Sequence, residues 1–152
     1  MSGETVRITL DAIDTKAETK AVSKAGGNIG AVVTFSGICR ADEKGEKISA
    51  LHLEHYPGMA EKEIESHVEK AKQRWPLLAA SVVHRVGRIE PGEIIVFVAT
   101  ASAHREAAFQ AAEFIMDYLK TSAPFWKRTE GGGREAWVDA SEKDEDALER
   151  WK

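Results

Sequence analysis

The stretch Leu77–Thr100, LLAASVVHRVGRIEPGEIIVFVAT, decides the fold. Two apolar, β-branched runs, Leu77–Val86 and Glu93–Thr100, flank Glu90-Pro91-Gly92. Proline presets the backbone for a tight turn and glycine frees the position after it, so the two runs are predicted to be strands joined by a short turn. A short turn returns the second strand beside the first, which implies antiparallel pairing. Upstream, Met59–Trp75 is the clearest amphipathic helix: Ala60, Ile64, Val68, Ala71 and Trp75 recur at helical spacing, with Glu and Lys on the other face. Pro57-Gly58 precede it and Pro76 ends it. Downstream, Ser102 is read as the cap of a helix running to about Lys120, with Ala108, Ala111, Ala112, Ile115 and Leu119 as its apolar face.

The remaining segments extend the pattern. Thr5–Leu10 alternates with Val6, Ile8 and Leu10 on one face and reads as a half-buried strand. Asp14–Ser23 is a short helix stopped by Gly26-Gly27, and Ile29–Cys39 is a buried strand. Arg40–Glu46 is a polar, exposed loop, and Lys47–His55 is a further strand. Phe125–Thr129 and Glu135–Asp139 form a hairpin around Gly131-Gly132-Gly133, and Ser141 opens a last short helix to Trp151. The order β-α-β-β-α-β-β-α-β-β-α, with short turns between neighbouring strands, predicts one α+β domain over residues 1–152.

Composition narrows the function classes. Of 152 residues, 43% are hydrophobic and 30% charged, a globular balance. A net charge of −4 makes the global field repel nucleic acid, so any anion site must come from local clustering of Lys and Arg. The single cysteine, Cys39, can form neither an internal disulfide nor a multi-cysteine metal site, and a reducing, cytoplasmic setting is expected. The N-terminus shows no signal peptide, and no apolar run is long enough to span a bilayer.

Three segments could carry chemistry. In KTSAPFWK, Lys120 closes a helix and Lys127 follows the aromatic pair Phe125-Trp126. A lysine at a helix C-terminus complements the macrodipole whatever else it does. Two lysines beside aromatic rings can also act as acid, base or nucleophile. In SAHR, His104 and Arg105 stand at the start of the same helix, where free N–H groups favour an anion; they read equally as packed and solvated surface residues. In GICR, Arg40 ends an apolar strand and is either an anion clamp or a loop charge, while Cys39 is read as an inert small hydrophobe. His52, His55, His67 and His84 make no metal motif, and the four tryptophans are read as core. His104 and Lys120 bracket a helix, so they lie roughly 24 Å apart along its axis. If both serve one pocket, the two ends must meet across a two-fold dimer, with Lys120 and Lys127 from one chain and His104 and Arg105 from the other.

These stretches together resemble the large, catalytic subunit of molybdopterin synthase. The resemblance rests on VTFSGICR (Val33–Arg40), LEHYPGMAE (Leu53–Glu61), HRVG (His84–Gly87), SAHR (Ser102–Arg105), MDYLKTSAPFWKR (Met116–Arg128) and the closing Arg150-Trp151, and covers about Val6 to Trp151. It implies a hammerhead-like α+β domain that converts cyclic pyranopterin monophosphate to molybdopterin by installing a dithiolene. The sulfur would come from a thiocarboxylate on the Gly-Gly tail of a small ubiquitin-like partner subunit. It further implies a homodimer of large subunits within a heterotetramer, and no metal or redox cofactor. By motif, Lys120 and Lys127 take the family's active-site lysine positions, Arg40, His104 and Arg105 its anion-binding positions, and Ile38, Cys39, Arg128 and Thr129 line the same segments. Two positions depart from the family's pattern: Cys39 stands where valine is usual, and Thr129 where an acidic residue is common. Two other functions fit the same cationic cluster. One is a phosphate-ester lyase or hydrolase that needs no sulfur donor; the other is an adaptor that docks ubiquitin-like tails against Phe125-Trp126.

Overall fold

The computed structural model describes residues 5–43, 45–121, 125–131, 134–138 and 142–152. Its elements are β1 (Val6–Thr9), α1 (Thr15–Ser23), β2 (Ala31–Ile38), β3 (Asp42–Glu43), β4 (Glu46–Lys47), β5 (Ala50–His55) and α2 (Met59–Arg74), then β6 (Leu77–Arg85), β7 (Gly87–Ile89), β8 (Ile94–Ser102), α3 (Arg105–Thr121), β9 (Phe125–Gly131), β10 (Arg134–Val138) and α4 (Glu142–Glu149). The class is α+β, as expected. One sheet runs β1-β6-β8-β2, a second runs β10-β9-β5-β7, and β3-β4 is a separate two-stranded ribbon.

The predicted pair at the centre is antiparallel, with Val82 opposite Val98. Strand side chains alternate between faces, and both faces of this sheet are used. Val82, Val96 and Val98 pack with Ile64, Val68 and Ala71 of α2 and with Ala111, Ala112, Ile115 and Leu119 of α3. On the other face Phe97, Ala99 and Ala101 meet Val22 of α1. A further cluster of Cys39, Leu51, Leu53, Val86 and Ile89 backs the second sheet. Ile8 and Phe125 pack against both that cluster and the α2–α3 core, which joins the two sheets.

Helix α3 sits close to the sheet at its first turns because the buried residues there are alanines: Ala108 and Ala111 have no exposed surface. Thr100 is buried beneath it and donates its hydroxyl to the Ala108 carbonyl at 2.7 Å, which satisfies a polar group with no access to water. The far end of the helix is held by the closing Arg-Trp pair. Asp117 accepts from Arg150 Nη2 and from Trp151 Nε1, each at 2.6 Å. The Arg74 guanidinium lies over the rings of Trp75, Phe114 and Trp151, between 5.1 and 5.7 Å from their centroids.

The structure corrects several expectations. Strand β1, which no short turn joins to a partner, stands outside the antiparallel expectation for neighbouring strands and pairs with β6 in parallel, Val6 opposite Val82. Between β6 and β8 lies a third strand, β7, which joins the other sheet through β5. The Arg40–Glu46 loop contains β3 and pairs it with β4, and the strand expected from Lys47 starts at Ala50. Ser102 is not a helix cap: it is the buried last residue of β8 and donates to the Pro76 carbonyl at 3.0 Å, while the helix begins at Arg105. Trp126 is 44% exposed rather than core. The β9–β10 hairpin forms, but Gly132-Gly133, Pro124 and Ser141 lie outside the described residues.

The entry to α3 is set by a close approach. The Gly30 N–H donates to the Ser102 carbonyl at 3.0 Å, and a Cβ on Gly30 would stand 2.3 Å from the Ala103 carbonyl oxygen. Gly30→Ala is therefore expected to destabilise the protein by about 1–3 kcal/mol, because the backbone before His104 must move aside. A shift of the urea midpoint checks this; an unchanged midpoint would mean the two strand ends can part freely.

Candidate functional site

The end of β2, the last turn of α3 and the inward face of β9 converge on a cavity of about 360 Å³. The first wall is the end of β2. Pairing with β8 slips between Gly37 and Ile38, and such a bulge bends the strand and re-aims the side chains that follow. The backbone beyond it is fastened to the turn before β8: Cys39 N–H donates to Glu93 O at 2.9 Å, and Gly92 N–H to Cys39 O at 2.8 Å. Cys39 is thereby buried, with 4% of its surface exposed, while Ile38 on one side and Arg40 on the other remain exposed at the cavity.

The second wall is the last turn of α3, where Met116, Leu119 and Lys120 face the cavity. The third is β9. Lys127 stands opposite Leu53 and Thr129 opposite Leu51, both core residues of β5, so this face of β9 turns inward and its two polar side chains reach the cavity. Arg128 falls on the other face, opposite His52, together with Glu130, whose carboxylate meets His52 Nε2 at 2.6 Å. Of the residues expected at the site, the cavity thus gathers Ile38, Cys39, Arg40, Lys120, Lys127 and Thr129. It does not gather Arg128, nor His104 and Arg105, which are exposed at the opposite end of α3 from Lys120.

Two wall residues were passed over in the sequence. Glu43, inside what reads as an exposed loop, reaches Lys127 with 3.5 Å between Oε1 and Nζ. No local pattern announces that contact, because it depends on a ribbon and a strand far apart in the chain. His84 is the other. Ala80, Val82 and His84 alternate onto the α3 face of β6, so the period itself carries the histidine toward the end of the helix that bears Lys120. Its ring stacks on Phe125 at 4.1 Å, and its Nδ1–H donates to the Arg85 carbonyl at 2.9 Å. That bond assigns the tautomer and leaves Nε2 as the acceptor.

Electrostatically the cavity is a local reversal of an acidic protein. Arg40, Lys120 and Lys127 line it against the single carboxylate of Glu43 among the described lining residues. Burial pushes the Cys39 thiol up, against the opposing pull of Lys127, so it stays a protonated, weakly reactive wall group. Burial pushes His84 down to about 4, with the nearby Lys120 and His55 charges acting the same way and the backbone hydrogen bond opposing. His84 is therefore neutral near pH 7. Among the described residues no three His, Cys, Asp or Glu side chains group to hold a metal ion, and no helix is long and apolar enough to cross a membrane. A pocket of this kind can bind an anionic small molecule and stabilise negative charge that develops on it.

Residues 8–122 match the family described as MoaE protein. The chain is 56% identical over 149 residues to a molybdopterin synthase catalytic subunit of Rhizobium meliloti, covering 97% of this chain and 95% of that one. Its fold is similar to that of a molybdopterin biosynthesis MoaE protein from Burkholderia ambifaria, with a TM-score of 0.84, 45% identity, and 99% and 98% of the two chains covered. At 23% identity it shares a fold, with a TM-score of 0.74, with a Helicobacter pylori chain solved as a protein-protein complex of subunit 1 and 2 of molybdopterin-converting factor. That likeness covers 89% of this chain and 90% of the other.

His84 gives the site a measurable signature. Its folded value lies below the ordinary 6.5, so between the two the unfolded chain binds a proton that the folded chain does not. Stability from this group is complete above pH 6.5 and is lost as pH falls toward 4. Relative to His84→Gln, the wild type should lose about 3 kcal/mol between pH 7 and pH 4, at roughly 1.4 kcal/mol per unit. Urea unfolding of both proteins across that range checks it; a constant difference would mean the imidazole titrates as it does in water.

Proposed function

The chain belongs to the MoaE protein family, the catalytic subunits of molybdopterin synthase, and from that premise we propose that it converts cyclic pyranopterin monophosphate to molybdopterin with sulfur delivered by a small partner subunit. The enzyme works in molybdenum cofactor biosynthesis. The observation that carries the finer reading is the meeting of Arg40, Lys120 and Lys127, from three separate segments of the chain, on one cavity. A phosphate-bearing ring system needs cations to hold it, and carbon–sulfur bond formation at its side chain needs charge stabilisation where water is scarce.

In this reading Arg40 grips the phosphate bidentately. Lys120 lies on the helix end above the apolar Met116–Leu119 wall and stabilises negative charge, or moves protons, as thiocarboxylate sulfur attacks the side-chain carbons; each new carbon–sulfur bond replaces a carbon–oxygen bond, whose oxygen leaves as water or stays on the phosphate. Lys127 assists and meets the tail of the partner. Each transfer leaves an acyl link between sulfur and the partner's terminal carbonyl, and hydrolysis of that link releases the partner with an ordinary carboxylate. Ile38, Cys39 and Thr129 shape the wall. The partner is a ubiquitin-like subunit whose Gly-Gly tail carries the thiocarboxylate; that a Helicobacter pylori chain of the same fold is solved in complex with a second subunit favours a partner subunit. His104 and Arg105 lie a helix length from Lys120, so they serve the same substrate only from the second copy of a homodimer, which with two small subunits makes a heterotetramer. The exposed Phe35 and Ile38 on edge strand β2, beside Arg40, offer apolar surface for that second copy. The setting is the cytoplasm.

The purified protein, mixed with cyclic pyranopterin monophosphate and the thiocarboxylated partner, should form the dithiolene, read as its fluorescent oxidation product. Lys120→Ala should lower turnover by roughly a thousand-fold with its melting temperature unchanged. Near-normal turnover by Lys120→Ala would remove Lys120 from the chemistry, and absence of product from a confirmed wild-type complex would leave an adaptor.

A further inference from the structure

We propose that Glu43 is the counterion of Lys127: it holds the ammonium at the cavity wall and reserves the free positive charge of Arg40 and Lys120 for the anionic group of the substrate. The starting point is a contact that ribbon stability does not explain. In the β3–β4 ribbon Asp42 stands opposite Lys47, an attractive pair, but Glu43 stands directly opposite Glu46. Like charges facing each other across a strand pair are unfavourable. Glu43 instead sends its carboxylate out of the ribbon to Lys127, 84 positions further along the chain, with 3.5 Å between Oε1 and Nζ. The ribbon belongs to neither sheet. Its base is tied by the Ile48 N–H to the Ala41 carbonyl at 2.7 Å, and Glu43 ties its outer end to the cavity.

Glu43 is the one carboxylate among the described residues lining the cavity, and Thr129, two positions from Lys127 on the same inward face of β9, carries a hydroxyl without charge. Both members of the pair are about one-third exposed, 31% for Lys127 and 32% for Glu43. Such a contact is weak enough for a bound molecule to rearrange, yet it limits where a flexible lysine rests. With the charge of Lys127 balanced in place, the cations of the cavity wall without a counterion among the described residues are Arg40 and Lys120, so an anion is drawn to that side of the cavity and Lys127 is left to act on the rest of the molecule. Glu43 is thus a positioning residue, since it works through Lys127.

The role of Lys127 rests on the function proposed above, whereas the charge balance does not, and the two are measured separately. The full-length chain is titrated calorimetrically with inorganic phosphate, and kcat and KM are measured in the reconstituted synthase. Glu43→Gln, on an exposed ribbon outside the core, should keep its melting temperature and bind phosphate two- to five-fold more tightly, because Lys127 is released. Its kcat should fall about ten-fold as Lys127 loses its fixed place. Adding Thr129→Glu returns a carboxylate to Lys127 from a different strand and should restore both values to within two-fold of wild type. A ribbon with a merely structural role would not be rescued from β9. Unchanged or weaker phosphate binding by Glu43→Gln, an unchanged kcat in an active synthase, or failure of Thr129→Glu to restore both values would overturn the proposal. An inactive wild-type synthase with the phosphate effect intact would count against the sulfur-transfer reading while the charge balance stands.

Discussion

Everything at the site depends on how closely α3 lies on the first sheet. The distance is set by small side chains: Ala108 and Ala111 allow an approach that a larger residue would block, and the Thr100 hydroxyl spends its hydrogen bond on the Ala108 carbonyl at the point of contact. Interiors packed at crystal-like density transmit such spacing faithfully. The consequence at the other end of the helix is that Lys120 stands above the end of the sheet, beside His84, and within one cavity of a strand that joins a different sheet. Asp117, clasped by Arg150 and Trp151, keeps that last turn from drifting.

Much of this was legible in the chain. The period of α3 named its buried face, and the Pro-Gly turn named the central antiparallel pair, because both depend on residues near one another in sequence. What escaped was what depends on distant partners. The parallel pairing of β1 has no local mark, and β7 is three residues long, too short to show a period. Ser102 has the chemistry of a helix cap, but the Pro76 carbonyl competes for its hydroxyl and the strand keeps it. At the site, Arg40, Lys120 and Lys127 could be suspected from residue type and position, and the resemblance brought Ile38, Cys39 and Thr129. Arg128 shows the limit of reading by segment: the alternation that turns Lys127 inward must turn its neighbour outward, toward His52 and Glu130.

The cavity also shows how an acidic protein can concentrate positive charge locally. The net charge of −4 is spread over a solvated surface, where a Debye length of roughly 8 Å screens it. Inside the cavity the few charges that matter are those within contact range of an occupant. A buried, neutral His84 adds a hydrogen-bond acceptor beside Lys120 without adding to the repulsion among the cations. Its tautomer is held by a backbone carbonyl and its ring plane by Phe125, so neither has to be chosen anew when the cavity fills.

Phe125 has a wider consequence. Its ring belongs to both the α2–α3 core and the core behind the second sheet, as does Ile8. Two sheets that shared only a loop could open one at a time. Two that share side chains cannot: exposing either core strips contacts from the other, so their local openings are linked in free energy. The backbone amides of β8 and β9 then belong to one cooperative unit, and the site at their junction inherits the stability of the whole domain rather than that of its weaker half.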